Sequence, residues 1–285
     1  MSTLRVLRRR IRSVQNTQQI TKAMEMVAAA KLRRAQARAL AARPYAAKIT
    51  EMLGNLAGAA SELNDPLFKV REVKTAALVL VASDRGLCGA YNTNLLRAAE
   101  QRLRAAPAGA LQLVLVGRKG RDYFRRRRYP VLAVHTPLPV EASIDFARSL
   151  TQDLIARYVD GTIDRVEIMY TQFISALRRR VMTEVFLPIG AERPAGTPAG
   201  SDPIFEPDAE TIFAELLPRY AVAKLFAAMA DALASEHSSR MIAMGAARKN
   251  AGELIDVLIL MRNRLRQAAI TKELLDIVGG AEALK

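Results

Sequence analysis

Both ends of this chain read as long helix, and that constrains every fold open to it. Residues 13 to 36, SVQNTQQITKAMEMVAAAKLRRAQ, and 266 to 284, RQAAITKELLDIVGGAEAL, are dense in helix formers. Near the start, Leu4, Leu7, Ile11 and Val14 follow a 3,4,3 spacing that places them on one helical stripe. Ile20, Met24 and Val27 resume that stripe in a shifted register after the polar stretch Gln15 to Gln19. Helix formers continue past Pro44, which is expected to bend the helix without ending it, to about residue 60; at 1.5 Å per residue such a helix is roughly 80 Å long. The second helix is predicted to begin near Asp208, in the acidic start EPDAETIF, and to run to about Leu284. Within it Leu254, Leu258, Met261, Leu265 and Ala268 keep a 4,3,4,3 spacing, the seam of a coiled coil. Two such helices can pair antiparallel.

Between them the period changes. Residues 75 to 83, 111 to 117 and 164 to 173 are short β-type runs separated by helical stretches such as TNLLRAAEQRLRAA, which predicts an α/β domain with a largely parallel sheet. A segment rich in Pro and Gly, ERPAGTPAGSDPIFEPD, then leads back into helix. The expected architecture is therefore an α/β domain (61–207, Rossmann-like, with its Pro/Gly-rich connection) inserted between two long terminal helices (1–60 and 208–285) that form an antiparallel coiled coil.

A chain of 285 residues with about half its residues apolar can bury a substantial core. Its 43 Lys and Arg against 28 Asp and Glu give a formal charge of +15, which calls for an acidic partner. Those cations concentrate in two places: Arg5, Arg8, Arg9, Arg10, Arg12, Lys22, Lys31, Arg33 and Arg34 along the first helix, and the run from Arg118 to Arg128. The single cysteine, Cys88, excludes an internal disulfide and is compatible with a reducing cytosol. No apolar run approaches the roughly 20 residues needed to cross a bilayer, so membrane attachment is expected only through a partner.

Catalytic patterns are sparse. With only His135 and His237, the sequence offers no zinc-binding constellation and no cofactor is expected. His237, beside Glu236 within the second helix, is expected to be solvated or at an interface and not the base of a triad. The turn SDRGLCGAYN is placed between a strand and a helix, as a phosphate cradle would be, but lacks the P-loop Lys-Ser/Thr and the dinucleotide glycine spacing. It reads better as a tight turn needing Gly86 and Gly89, and VGRKGRDYF reads as a second glycine turn with basic neighbours. Two functional alternatives remain beside a mechanical role: a nucleic-acid-binding protein, weakened by the lack of aromatic residues among the arginines, and a nucleotide-binding enzyme built on the Gly86 or Gly117 turns.

The segments IRSVQNTQQITKAMEMVAAAKLRRAQ, SDRGLCGAYNTN and SEHSSRMIAMGAARKNAGELI, followed by RNRLRQAAITKELLDIVGGAEAL, closely resemble the gamma subunit of F-type ATP synthases, and the resemblance spans the whole chain in order. It implies a central-stalk rotor whose terminal helices form a left-handed coiled coil inside a hexamer of alpha and beta subunits, transmitting torque between an ion-driven membrane ring and the catalytic sites without making a bond itself. It also implies the epsilon subunit and the membrane c ring as partners, no nucleic acid, and a peripheral place on the cytoplasmic face of a bacterial membrane. The short lead before Ile11 leaves little room for an organelle presequence. By the same resemblance Arg240, Gln267 and Thr271 match positions that touch a loop of the beta subunits, Met24 faces the beta lever region, and Glu206 lies near the loops of the membrane ring. The apolar turn from Leu274 to Leu284 would occupy a hydrophobic bearing. The cysteine-bearing insertion of chloroplast relatives is missing, which argues against thiol control.

Overall fold

The computed structural model describes residues 2–55, 65–107, 109–190 and 209–282. They form two long helices, α1 (Ser2–Asn55) and a C-terminal helix α5 (Ala209–Glu282), with a five-stranded sheet and three shorter helices between them. Pro44 and Pro218 both lie inside helices that continue through them. The anticipated domain limits at 60/61 and 207/208, and the acidic cap at Asp208, lie outside the described residues. Two compact units emerge: Met1–Ala28 with Arg240–Lys285, and Ala29–Ser239.

In the first unit the two helices run antiparallel, because contacts that advance along α1 retreat along α5. Leu7 and Ile11 pack with Leu258, and Val14, Ile259 and Leu265 close around them. Gln18 faces Gly252, while Glu25 faces Gly245 and accepts from Arg248 Nε at 2.9 Å. The inward positions on α1 are Leu7, Ile11, Val14, Gln18, Thr21, Glu25 and Ala28, an unbroken alternation of four and three. On α5 they are Ala251, Ile255, Leu258, Arg262, Leu265 and Ala269.

This corrects two sequence expectations. The stripe does not resume on Ile20 and Val27, which are exposed, and of the proposed α5 seam only Leu258 and Leu265 turn inward. Leu254 is 40% exposed whereas Ile255 is 8% exposed, and the alternate seam positions lie one residue on, at Ile255, Arg262 and Ala269 in place of Leu254, Met261 and Ala268. The cause is that polar side chains hold seam positions by satisfying themselves locally. The Thr21 hydroxyl lies 3.0 Å from the carbonyls of Thr17 and of Gln18, and Glu25 is neutralised by Arg248.

The second unit is built on β1 (Ala76–Val81), α2 (Tyr91–Ala105), β2 (Leu111–Val116), α3 (Arg118–Phe124), β3 (Val131–His135), α4 (Ile144–Val159), β4 (Arg165–Phe173) and β5 (Arg179–Leu187). The sheet order is β3-β2-β1-β4-β5, parallel except for β5, which pairs antiparallel with β4. Strands β1, β2 and β4 fall where the sequence predicts them, whereas β3 and β5 were not anticipated. Both are edge strands with mixed exposure, so neither has the continuous apolar run of a buried parallel strand.

Along β1, Ala77, Val79 and Val81 face one core with Leu150, Leu154 and Tyr158 of α4 and Leu217, Leu225 and Met229 of α5. Ala76, Leu78 and Leu80 face a second core with Leu95, Leu96 and Leu103 of α2 and with Phe124 of α3. Two buried faces explain the apolar run at both parities. Helix α5 follows the sheet from one end to the other: Lys224 Nζ donates to Val185 O at 2.6 Å, Tyr91 Oη to Ala232 O at 3.2 Å, and Arg179 Nη1 to Ser238 Oγ at 3.2 Å.

Candidate partner-binding surface

The glycine turns that a nucleotide site would use are occupied by the protein's own bonds. Asp84 Oδ1 accepts from Arg118 N at 2.8 Å and Oδ2 from Leu138 N at 2.9 Å, so one carboxylate fastens the ends of β1, β2 and β3 together. Ser83 Oγ pairs with Asn92 Oδ1 at 2.9 Å, and Asn92 Nδ2 donates to the buried Cys88 Sγ at 3.2 Å. The positive φ values fall on Leu87 and Gly89, so Gly86 is not the residue the turn requires. Gly117 is required: its φ is +96° and an added Cβ would lie 2.2 Å from Ala82 O. The turn is a fastening between strands, and its carboxylate is aimed at backbone N–H groups that a phosphate would otherwise need.

His237, expected to be either solvated or at an interface, is buried on α5, where it lines a small cavity with Lys31, Arg34, Arg38 and Glu141. Glu141 pairs there with Arg38 and, at 3.8 Å, with Arg34. A helix that covers a sheet has no solvent-facing side at this level, and proximity to Glu236 in sequence carried no information about that.

The paired helices of the first unit present most of the sequence-predicted contact residues. Met24 and Arg240 are half-buried, and Arg240 is engaged within the chain. Gln267 and Thr271 are exposed one turn apart, about 40 Å along α5 from Arg240 at 1.5 Å per residue. Glu206 lies outside the described residues. Gln267 and Thr271 belong to a longer outward stripe, Leu260, Arg264, Gln267, Thr271, Leu274 and Val278, repeating every four and three residues. On α1 the outward residues include Val6, Ile20, Met26 and Val27 beside the exposed Arg5, Arg8, Arg9, Arg10, Arg12 and Lys22.

Sequence reasoning assigned Ile20, Val27, Leu254 and Met261 to the seam and did not single out Val257 or Leu260, and all six are exposed. The signal was present: more apolar positions per heptad than a two-helix seam can absorb. An exposed surface mixing large aliphatics with cations is chemically suited to a partner with apolar walls and carboxylates.

Residues 3–284 match the family profile described as ATP synthase. The chain is 50% identical to the ATP synthase gamma chain of Moorella thermoacetica, over all of both chains, and 47% identical to that of Desulforamulus reducens, again over all of both. Among solved structures it resembles a chain of the Euglena gracilis mitochondrial ATP synthase (OSCP/F1/c-ring), with a TM-score of 0.72, 20% identity and coverage of 99% of this chain and 95% of that one. It also resembles a chain of the central stalk and c-ring structure from Tetrahymena thermophila, with a TM-score of 0.64, 24% identity and coverage of 80% and 99%. Long helices at both ends, a mixed sheet between them and full-length identity at this level lead to one conclusion: the chain belongs to the gamma-subunit family of F-type ATP synthases.

Proposed function

We propose that this chain is the central-stalk rotor of a rotary ATP synthase, carrying torque between the membrane c ring and the catalytic alpha/beta hexamer without itself catalysing a reaction. The observation that carries the proposal is the antiparallel pairing of the two terminal helices with an apolar and basic outer surface, in a chain of this family. Seam positions repeating every 3.5 residues favour a left-handed supercoil, because a straight helix has 3.6 residues per turn. A stiff helix pair is suited to transmitting rotation, and its outward arginines suit sliding contact with acidic stator loops.

In this reading Met24, Arg240, Gln267 and Thr271 meet the beta subunits, Glu206 faces the membrane ring, and epsilon binds the stalk. The chain is then peripheral on the cytoplasmic face of a bacterial membrane, held by its partners; no described helix is long and apolar enough to cross one. No nucleic acid or cofactor enters the mechanism.

The test is reconstitution of the chain with alpha and beta subunits of a close relative, followed by size analysis and ATPase assay. One copy per three alpha-beta pairs is expected, with turnover that falls severalfold for Arg240→Ala/Gln267→Ala. A chain that remains outside a competent hexamer, or a double variant with undiminished turnover, overturns the reading or these contacts respectively.

A further inference from the structure

The cavity that His237 lines is left without a role by everything above. It has a volume of about 60 Å³ and lies wholly within the second compact unit. One wall is the face of α1 that carries Lys31, Arg34 and Arg38, whose spacing of three and four residues puts three cations on a single stripe of the helix. The loop before α4 contributes Val140 and Glu141, and α5 contributes Leu233 and His237. Leu233 and His237 are buried, whereas Arg34, Arg38, Val140 and Glu141 are exposed, so the cavity runs inward from a charged mouth to a closed wall.

Charge is out of balance in this space. Among the residues that line it, Glu141 is the one carboxylate against three cations. It pairs with Arg38 and, at 3.8 Å, with Arg34, both contacts lying at the exposed mouth where ion pairs are weak and exchangeable. Lys31 is half-buried and has no ion-pair or hydrogen-bond partner among the described residues. Its neighbours in the cavity include the apolar Ala35 and Leu233. An ammonium drawn partly out of water beside such walls, with its nearest carboxylate already shared by two arginines, favours the arrival of a further anion.

We propose that Lys31, Arg34 and Arg38 form, in front of His237, a binding site for one inorganic phosphate ion. Guanidinium groups bind phosphate oxygens in pairs, and the lysine adds a compact point charge. The apolar part of the lining strengthens each of those contacts relative to open water. The volume suits a single phosphoryl group and is far below the roughly 300 Å³ at which pockets for larger organic ligands begin, so a nucleotide could enter only by its terminal phosphate. Bound there, the ion joins α1, the loop before α4 and α5, and it competes with Glu141 for Arg34 and Arg38. The proposal goes beyond the rotor reading and does not depend on it.

The experiment is calorimetric titration of the full chain with inorganic phosphate, in chloride buffer of fixed ionic strength, repeated with sulfate, ADP or ATP present. It compares the native chain with Lys31→Met, Arg38→Gln, Glu141→Gln and a control, Arg5→Gln/Arg8→Gln, which removes two cations from the other compact unit. Saturation at one ion per chain is expected, with sulfate displacing phosphate at similar concentrations. A hydrogen bond to a charged group is worth about one to two powers of ten in affinity, so Lys31→Met and Arg38→Gln are each expected to weaken binding at least tenfold, and the control is expected to leave it unchanged. Glu141→Gln removes the competing carboxylate and is expected to tighten binding severalfold. Lys31→Met keeps the side chain's length and discards an unbalanced charge, so it is expected to fold as well as the native chain. Phosphate should raise the melting temperature of the native chain and not that of Lys31→Met.

Equal losses in Lys31→Met and in the control mean generic attraction by a basic chain and overturn the proposal, as does uptake that fails to saturate at one ion per chain. Weaker binding in Glu141→Gln would mean that the carboxylate and its arginines are a closed clasp with no place for an anion, and overturns it as well. Displacement of phosphate by ADP or ATP at far lower concentrations than phosphate itself requires would make the terminal phosphate of a nucleotide the occupant and overturn the assignment to the free ion.

Discussion

Arg102 grips Glu167 from both arms of its guanidinium, Nε at 3.0 Å and Nη2 at 2.8 Å, across the face of the sheet that α2 covers. Glu167 is almost wholly buried on β4, and Arg165 Nε approaches the same carboxylate at 3.1 Å. One buried anion thus holds two cations whose outer parts remain wet. Replacing it with Glu167→Gln leaves two guanidinium groups without their counter-charge. Removing one partner of a buried pair typically costs 3–5 kcal/mol, and partial exposure of both arginines brings the expectation to about 2–3 kcal/mol. Urea unfolding of the chain measures it; a loss below half a kcal/mol would mean the arginines resolvate without penalty.

The seam assignment on α5 separates neighbouring residues. Ile255→Ala removes a buried side chain between the helices and is expected to destabilise by about 2–3 kcal/mol, while Leu254→Ala, mostly in solvent, should stay within roughly 0.5–1 kcal/mol. Thermal unfolding of the isolated chain decides between them. Equal effects would return the seam to the register that apolar spacing alone suggests.

The two seam glycines differ in how tightly they are held. An added Cβ at Gly252 would meet only the amide end of Gln18, at 3.0 Å, whereas at Gly245 it would meet Glu25 Oε1 at 3.2 Å, a carboxylate fixed by Arg248. Alanine in a helix is favoured over glycine by about 1 kcal/mol. Gly252→Ala is therefore expected to raise the melting temperature, and Gly245→Ala to raise it less or lower it.

Acid should weaken the α/β unit through His135. Burial holds its imidazole below its ordinary pKa, with Asp153 opposing and Arg157 adding a little; its ring stands edge-on to Phe146, and Nε2 has no described partner. A histidine that resists protonation when folded binds fewer protons than the unfolded chain, so stability is intact above about pH 6.5 and falls as pH drops through the depressed folded value. His135→Asn is expected to flatten that slope between pH 7 and 5 in denaturant titrations; an unchanged slope would assign it to other groups.

The long terminal helices, the three central strands and the strand-to-helix glycine turns were legible because each rests on local chemistry: helix propensity, short β-branched runs and Gly117's backbone angle. The seam was not, because Gln18, Thr21 and Glu25 take core positions that an apolar count assigns to Ile20 and Val27. Whether an aliphatic residue faces its own partner helix or another subunit is decided by assembly, and a single sequence does not label the two. Strand β5 escaped notice because Arg179, Arg180 and Glu184 interrupt its apolar pattern, which an edge strand tolerates. The contact residues themselves came from family resemblance; the physical chemistry supplies only that they sit on outward or half-buried helix positions.

Gln18 with Gly252 and Glu25 with Gly245 are two matched contacts seven residues apart on each helix. They behave like the marks of a vernier scale. Sliding one helix past the other by a single heptad would restore the apolar rhythm but leave one polar side chain without its glycine and separate Glu25 from Arg248. A purely aliphatic seam would accept that slip at little cost; this one has a single axial setting, so a twist applied at one end cannot be dissipated as slippage along the pair.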